Sequence, residues 1–586
     1  MGVSLRRTHL CGVLNKENLN ERVTLAGWIK GYRDHGGLIF VDLMDKSGAV
    51  QLVFNPEIEK EVHSKARSLR EGWVIAIEGK VNARPSDSVN PDLKTGEIEI
   101  IVEKMEILNV SRNLPFPIEN EIQVSEEVRL KYRYLDLRRE KMQKNFLLRY
   151  RVIKLIRDFL DKKGFIEVET PFLARSTPEG ARDYLVPSRL NPGDFYALTQ
   201  SPQLFKQMLM VGGFDRYFQI VRCFRDEDLR ANRQPEFTQL DIELSFIEEE
   251  DVYNLTEEMF AYMFKEILGI SLKTPFLRLK YEEAMKRFGS DKPDIRFDLE
   301  LKDITTIQGI QKFKVFQRVI EKGGQVKGIK VPEPASLSRK DLEELTELVI
   351  SWGAKGLSWI FIQKEIKSPL NKFLSKETIE KMVEEMKAGE GDTLFIVADK
   401  KEVVAEVLGS LRLYLAKKFN LVSREYKLLW VVDFPLFKYD TGGNLTSSHH
   451  PFTSPMEEDL PLLREMPEKV RARHYDLVLN GEEVGGGSIR IHRPGIQEKV
   501  FNILGIDSLE AREKFGFLLE ALSFGAPPHG GIAFGLDRLV MMLTGEESIR
   551  EVIAFPKTQK GICLLTQAPS SVSEEQLKEL HLKVKE

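Results

Sequence analysis

Two alternating runs separated by a dense charged loop constrain this chain more than any other feature. Phe218, Ile220, Arg222 and Phe224 fall on one side of an extended segment, with Tyr217, Gln219, Val221 and Cys223 on the other. The loop carries Arg225, Asp226, Glu227, Asp228, Arg230, Arg233 and Gln234, and leads through Pro235 and Glu236 to Phe237. Alternation then resumes, with Thr238, Leu240, Ile242, Leu244 and Phe246 on one face and Gln239, Asp241 and Glu243 on the other. Such a pair predicts two strands joined by a loop of Arg, Asp and Glu. A charge run usually marks a solvated hairpin tip, but a tip does not need a polar file running down its second strand. The pattern predicts a device that grips a polyanion and an amine side by side.

At 586 residues the chain is too long for one core and predicts about three domains. Its 42% hydrophobic and 30% charged content describes a soluble globular protein. The net charge of -4 leaves nucleic acid open, because such binding depends on local patches. One basic patch is expected between Arg129 and Arg151, where Lys131, Arg133, Arg138, Arg139, Lys141, Lys144 and Arg149 outnumber Asp136 and Glu140. Cys11, Cys223 and Cys563 are far apart, which argues against a disulfide framework or zinc site and fits a reducing cytosol. The N-terminus lacks the apolar stretch of a signal peptide and no run is long enough to span a membrane. A cytoplasmic multidomain protein is expected, with no membrane partner.

Residues 1–112 read as short strands, namely 23–29, 38–43, 50–54, 73–81 and 98–106, with one helical stretch over 56–69. That pattern predicts an OB-type β-barrel, a common binder of single-stranded nucleic acid. Phe40, Arg33 just before it and Gln51 are candidates for base stacking and base-edge contact, although Phe40 also suits a barrel core. Residues 113–140 look like a hinge, followed by a long helix over 141–163 that Gly164 stops. From 295 to 422 helices (341–351, 376–388, 403–418) alternate with strands (357–363, 393–398), as in an inserted α+β domain. Over 423–586 the chain returns to strands bearing charged and glycine-rich motifs, as before the insertion.

Further constellations carry chemistry. Ser201-Pro202-Gln203-Leu204-Phe205-Lys206 reads as a helix start with Ser201 as N-cap, placing Gln203 and Lys206 on one face. Asn480-Gly481 is a two-residue hairpin turn that pairs Val478 with Glu483. Asp476 and Glu483 then become diagonal neighbours about 7–8 Å apart, a spacing at which two carboxylates share a Mg²⁺ that also holds a triphosphate. Gly485, Gly486 and Gly487 let a ligand or backbone come close, and Ser488, Arg490 and His492 share a face. In Gly535-Leu536-Asp537-Arg538 an arginine sits in the first turn of a helix, where the dipole disfavours a cation unless a phosphate or aromatic partner compensates. Residues 175–184, including Glu179, form a loop of the kind that closes over a substrate. His449-His450 suggests a metal pair, but adjacent histidines on a strand point apart and no Cys or third His accompanies them, so substrate contact or packing is expected.

Together these residues resemble the bacterial-type aspartyl-tRNA synthetases, class II aminoacyl-tRNA ligases, over essentially the whole chain. The helix ending before Pro171 resembles motif 1, Phe224 to Phe237 motif 2, and Gly535 to Arg538 motif 3. The resemblance implies a multidomain α+β protein. It would have an anticodon-binding OB domain over 1–112 and a hinge over 113–140. A class II catalytic domain over 141–294 and 423–586 would be an antiparallel sheet flanked by helices. An insertion over 295–422 would be of the type shared with an amidotransferase subunit. It further implies a homodimer, ATP and L-aspartate as substrates, and Mg²⁺ as cofactor. Arg225 would contact the α-phosphate and the α-carboxylate, and Glu227 the adenine edge. Phe237 and Arg538 would sandwich the adenine, with Asp226, Gln234, Glu483, Gly535, Leu536 and Asp537 completing the ATP site. Asp476 and Glu483 would hold Mg²⁺. The side-chain carboxylate of aspartate would meet Arg490 and Lys206, its ammonium Ser201, Gln203, Asp241 and Glu179, and His449 would close the site.

In the barrel, Arg33, Phe40 and Gln51 resemble anticodon contacts. His35 stands where relatives restricted to aspartate tRNA often carry Leu, and Asp87 where they often carry Lys. The resemblance therefore implies charging of both tRNA(Asp) and tRNA(Asn), with an amidotransferase acting on the second product. The alternatives are a strictly tRNA(Asp)-specific enzyme, a sister asparaginyl or lysyl ligase, and a non-catalytic tRNA-binding paralogue. An ammonia-dependent asparagine synthetase of the same fold would lack the barrel.

Overall fold

The computed structural model describes residues 3, 5–177, 180–332, 337–440 and 442–585. The chain divides into two compact units, one of Met1–Ile153, Asp228–Pro235 and Val540–Gln576, the other of the remainder.

The first unit holds a closed five-stranded barrel of Arg22–His35, Leu38–Asp45, Gly48–Phe54, Val74–Ala83 and Ile98–Asn109, the OB-type architecture expected. Strict alternation builds it: Ile39, Val41 and Leu43 point inward and are fully buried, while Leu38, Phe40 and Asp42 point outward. The first strand is longer than its apolar residues indicate. Arg33, Asp34 and His35 continue it, pairing with Phe40, Ile39 and Leu38 in turn. Gly36 and Gly37, at φ 63° and 89°, supply the left-handed turn that joins the two strands. The helix after the third strand covers only Lys60–Ala66, shorter than 56–69.

Residues 113–140 contain two short helices, Glu126–Lys131 and Arg133–Asp136, ahead of the long helix Glu140–Lys162. The arginines of the expected basic patch form in part an internal ion network, while Lys131, Lys141 and Lys144 stay exposed. Arg133, 1% exposed, pairs with Asp136 at 2.5 Å and donates to the carbonyls of Arg550, Ile553 and Ala554. Arg139 also reaches Asp136, and Arg129 pairs with Glu551. Composition counts these cations as surface; in the fold, the carbonyls and Glu551 that bury them come from the far end of the chain.

The second unit is built on an eight-stranded sheet. Its strands run in the order Leu277–Lys280, Leu428–Val432, His474–Leu479, Glu482–Ile489, His529–Gly535, Glu236–Ser245, Arg216–Phe224 and Ile166–Glu167. The six central strands are antiparallel and the two edge strands parallel to their neighbours. Helix Glu249–Leu268 buries Val252, Tyr253, Met259, Phe260 and Phe264; Phe260 meets Phe534 of the sheet, and Glu257 accepts from the indole N–H of Trp430. Phe246 does not extend its strand: at φ 57° and 73% exposed, it lies where the chain turns away. A separate five-stranded sheet includes Gln325–Val331, Thr393–Asp399 and Ser358–Ile362, with helices Arg339–Ser351, Lys376–Glu385 and Lys401–Lys418. No helix among the described residues is long and apolar enough to cross a membrane.

Candidate active site

The register of the large sheet lines up one face in ranks. Glu243 lies opposite Gly531, Gly531 opposite Ser488, and Ser488 opposite His474. One rank along, Asp241 lies opposite Ala533, Ala533 opposite Gly486, and Gly486 opposite Asp476. Polar side chains therefore stand on both sides of a floor of glycine and alanine. Nothing larger fits parts of that floor. A Cβ on Gly531 would come within 2.0 Å of the Ile242 carbonyl oxygen and 2.2 Å of Glu243 Oε2.

On one side of this floor sits a buried quartet of charges. Lys206 Nζ lies 3.0 Å from Asp241 Oδ1 and 3.3 Å from Glu243 Oε2. Arg490 forks onto Glu243, Nε to Oε1 at 3.0 Å and Nη2 to Oε2 at 3.2 Å, while its Nη1 donates to Ser488 Oγ at 2.6 Å. Lys206, Arg490, Asp241 and Glu243 are all 5% exposed or less. Burial pulls the Glu243 carboxyl upward, but Arg490 and Lys206 overcome it and hold Glu243 ionised below its usual range. At Asp241 burial wins and the carboxyl is raised, Lys206 offsetting only part of the cost. Lys206 is thus not the solvated lysine of an ordinary amphipathic helix. Its helix, Gln203–Val211, also starts later than expected. Pro202 occupies the N-cap position with ψ 16°, and Ser201 Oγ accepts from Gln203 N–H at 3.3 Å. Glu243 is visible in the sequence only as part of a polar file; its keystone role needs the fold, because Arg490 lies 247 residues away.

Several buried polar atoms have no partner among the described residues: Gln203 Nε2, Asp241 Oδ2, Arg225 Nε, Arg538 Nε and His450 Nε2. Each such atom costs about 1–3 kcal/mol when unsatisfied. Gln203 and Asp241 offer a donor and an acceptor suited to an ammonium and carboxylate ligand. Arg225, just beyond strand Arg216–Phe224, holds its guanidinium 5.1 Å from the Phe237 ring centroid. Arg538 Nη1 donates to the Glu483 carbonyl at 2.5 Å. Asp537 is 3% exposed and accepts from the Thr238 N–H at 2.7 Å, tying the helix Leu536–Thr544 to the strand Glu236–Ser245. Gly535 leaves open space beside Arg538, its Cβ position meeting only Arg538 Cβ at 3.9 Å. Asp226 accepts an ion pair from Arg182 at 3.7 Å, and their backbones bridge. Glu227 is half-buried beyond it. Gln234, in the other unit, exchanges two hydrogen bonds with the backbone of Lys557. Glu179 lies outside the described residues.

Asp476 and Glu483 meet over Gly486, whose Cβ position would lie 2.6 Å from Asp476 Oδ1 and 3.5 Å from Glu483 Oε1. A bulge between Leu477 and Val478 brings the two together. Burial raises the Asp476 carboxyl to about 8, and the Asp476 charge, with burial, raises Glu483 to about 7. Two carboxylates forced so high fit a hard dication, which would replace their protons. The folded protein binds protons at these groups that the unfolded chain has already lost, so stability falls as pH rises from the ordinary carboxylate range toward 8. Thermal melts without divalent ions should decline from about pH 4.5 to about pH 8 and level off above it, and millimolar Mg²⁺ should remove the decline. The Asp476→Asn/Glu483→Gln variant should lack it; an equal decline in that variant would assign it elsewhere.

The histidines are arranged differently from expectation. His449 does have a third histidine beside it: its ring stacks on His474 with centroids 3.5 Å apart, and His474 Nε2 lies 2.9 Å from Asp476 Oδ1. His450 faces another way, its Nδ1 accepting from Phe452 N–H at 3.4 Å. His449 and His450 lie beyond strand Leu445–Ser447 and not on it, and sequence spacing misses His474 because it comes from the remote strand His474–Leu479.

On the barrel, Arg33 donates to Asp42 Oδ1 at 3.1 Å and Gln51 Oε1 at 3.3 Å, and Gln51 donates to Glu99 Oε2 at 3.0 Å. Phe40 lies on the same outer face, between Arg33 and Val53, and is not a core aromatic. Arg84 and Glu99 join this face unforeseen, Arg84 with a buried Nη2 lacking a partner. His35 is exposed at its strand end, and Asp87 is exposed in a loop, accepting from Ser88.

A family model described as tRNA synthetases class II (D, K and N) matches residues 125–559, and an OB-fold nucleic acid binding domain matches residues 23–108. The chain is 57% identical over 583 residues to "Aspartate--tRNA(Asp/Asn) ligase" of Thermoanaerobacter sp. (strain X514), covering 99% of this chain and 98% of that protein. The protein of the same description from Aquifex aeolicus (strain VF5) is 55% identical, over 99% of this chain and 99% of that protein. In fold, the chain is similar to the crystal structure of asparaginyl-tRNA synthetase from Pyrococcus horikoshii complexed with asparaginyl-adenylate. That likeness has a TM-score of 0.61 at 19% identity and covers 95% of this chain and 99% of that one.

Proposed function

The chain belongs to the class II tRNA synthetases of the aspartate, lysine and asparagine group, and from that premise we propose that it joins L-aspartate to tRNA with ATP, through aspartyl-adenylate, charging both tRNA(Asp) and tRNA(Asn). Full-length identity to proteins described as Aspartate--tRNA(Asp/Asn) ligase supports the activity. The observation that carries the amino-acid choice is the buried quartet. Arg490 and Lys206 offer only N–H donors, so a carboxylate is accepted where an amide NH₂ would meet donor against donor. Their charges are already balanced by Glu243 and Asp241. Selection therefore rests on donor geometry and not on excess positive charge.

In this reading Gln203, Ser201, Asp241 and Glu179 receive the substrate ammonium, and His449 lies at the rim. Arg225 binds the α-phosphate and the α-carboxylate. Phe237 and Arg538 flank the adenine, Glu227 and Asp226 lie along its edge, and Gly535, Leu536 and Asp537 shape the ATP site. Asp476 and Glu483 hold Mg²⁺, which supplies charge neutralisation to the phosphates when bound. An oxygen of the aspartate α-carboxylate attacks the α-phosphorus, and the bond to the bridging oxygen breaks to release pyrophosphate. A ribose hydroxyl at the tRNA terminus then attacks the new carbonyl carbon, losing its proton, and AMP leaves. No side chain is needed as a nucleophile; Arg225 and Arg538 position and stabilise charge.

Residues 1–112 serve as the anticodon domain, 113–140 as hinge, 141–294 with 423–586 as catalytic domain, and 295–422 as insertion. Arg33, Phe40 and Gln51 meet anticodon bases, and His35 and Asp87 relax the choice between the two tRNAs. The protein works as a cytoplasmic homodimer, and its product on tRNA(Asn) is substrate for an amidotransferase. Purified tRNA(Asn) should accept aspartate at a rate within about tenfold of tRNA(Asp), a difference of roughly 1.4 kcal/mol. Absence of aspartyl-tRNA(Asn) at high enzyme concentration would limit the activity to tRNA(Asp).

A further inference from the structure

We propose that His449, His474 and Asp476 form a binding site for a borderline transition-metal dication such as Zn²⁺ or Co²⁺, beside the Asp476 and Glu483 site for a hard cation and sharing Asp476 with it. One nitrogen from each histidine and one carboxylate oxygen of Asp476 all lie within 4.8 Å of one another. Donors on a single tetrahedral zinc stand roughly 3.4 Å apart, given Zn–N bonds of about 2.0–2.1 Å. The set is therefore slightly open, and a small movement of the exposed His449 side chain would close it. The two rings are already aligned, inclined by 21° and stacked at 3.5 Å. His474 now meets Asp476 Oδ1 at 2.9 Å through Nε2. With the ion on Nε2, the imidazole proton resides on Nδ1 and the ring stays neutral, as metal ligation requires.

Three protein ligands leave a fourth position open, the pattern of a site that also takes water or a substrate oxygen. Two imidazoles with one carboxylate favour Zn²⁺, Co²⁺ or Ni²⁺, whereas the paired carboxylates of Asp476 and Glu483 favour Mg²⁺. Asp476 is the hinge of the arrangement. Drawn toward the histidines, it is lost to Glu483, so a bound transition metal excludes the hard cation and switches the ligase off. The site itself stands on geometry alone; only this inhibitory consequence rests on the ligase reading.

Titration of the purified full-length protein with Co²⁺ tests the site directly. The expected result is one Co²⁺ per chain with the intense ligand-field absorption of a four- or five-coordinate ion, displaced by Zn²⁺. His474→Gln and His449→Asn should each weaken binding at least tenfold. His449 is exposed, so its variant keeps the test valid if His474→Gln fails to fold. Unchanged affinity and spectrum in the variants, or only the weak absorption of a six-coordinate hydrated ion, would overturn the proposal. In a second arm, Zn²⁺ should inhibit aspartate-dependent pyrophosphate exchange, with His474→Gln requiring at least tenfold more Zn²⁺ for the same fractional inhibition. Equal sensitivity would overturn the inhibitory role. Absence of exchange in wild type supplied with Mg²⁺ and free of Zn²⁺ and Co²⁺, with the Co²⁺ signature intact, would count against the ligase reading and leave the metal site supported.

Discussion

Replacing Arg225 by alanine should lower aspartate-dependent exchange of pyrophosphate into ATP by about 10³-fold or more, the scale on which a single arginine stabilises phosphoryl charge. The position explains why so much rests on one side chain. Arg225 leaves the end of strand Arg216–Phe224 with its guanidinium against the Phe237 ring and with Nε buried and unpartnered. A guanidinium held by an aromatic face is already oriented, so little is lost in ordering it as charge develops on the α-phosphate. Arg225→Lys keeps the charge but loses the planar fork, and should recover only part of the activity. The two variants separate charge from geometry. Near-normal exchange in Arg225→Ala would remove this residue from the chemistry.

The second large effect concerns assembly of the amino-acid pocket. Glu243→Gln should destabilise the second unit by about 3–5 kcal/mol, the cost of leaving buried charges without their partner. Glu243 is fully buried and, among the described residues, is the carboxylate that pairs with both Arg490 and Lys206. With it neutralised, Asp241 alone faces two buried cations, and burial already raises the Asp241 carboxyl. Removing a cation together with the acid should relieve part of the damage. The double variant Glu243→Gln/Arg490→Met is therefore expected to be more stable than additivity of the two single variants predicts. Denaturant unfolding followed by fluorescence measures the cycle. Strict additivity would show that the fork seen between Arg490 and Glu243 contributes no coupling.

Local pattern carries the fold well where its period is strong. Alternation over 217–224 and 238–245 places Gln219, Asp241 and Glu243 on one face, and the Asn480-Gly481 turn sets the pairing of Val478 with Glu483. What it cannot carry is long-range pairing. Arg133 reads as part of a basic surface because its carbonyl partners at Arg550, Ile553 and Ala554 are remote in sequence. His474 gives no local signal because stacking on His449 requires two separate segments to meet. Arg33 to His35 read as loop because exposed polar residues hide a strand that is held by backbone pairing. Lys206 shows the same limit: a lysine on an amphipathic helix is solvated until two acids from the sheet cover it.

The floor of Gly531, Ala533 and Gly486 has a consequence for anyone seeking to change what this pocket accepts. It is a surface made by omission. There is no side chain to trim at either glycine, and at Gly531 none can be added, since a methyl would collide with the Ile242 carbonyl and with Glu243 itself. Apart from the methyl of Ala533, the floor therefore offers no gradual route to a larger or smaller substrate. Diversification must come from the walls, and the wall at Glu243 also holds the pocket together. An altered amino-acid preference would have to be reached by exchanging Lys206, Arg490 and Glu243 as a set, which makes the pocket resistant to drift by single mutation.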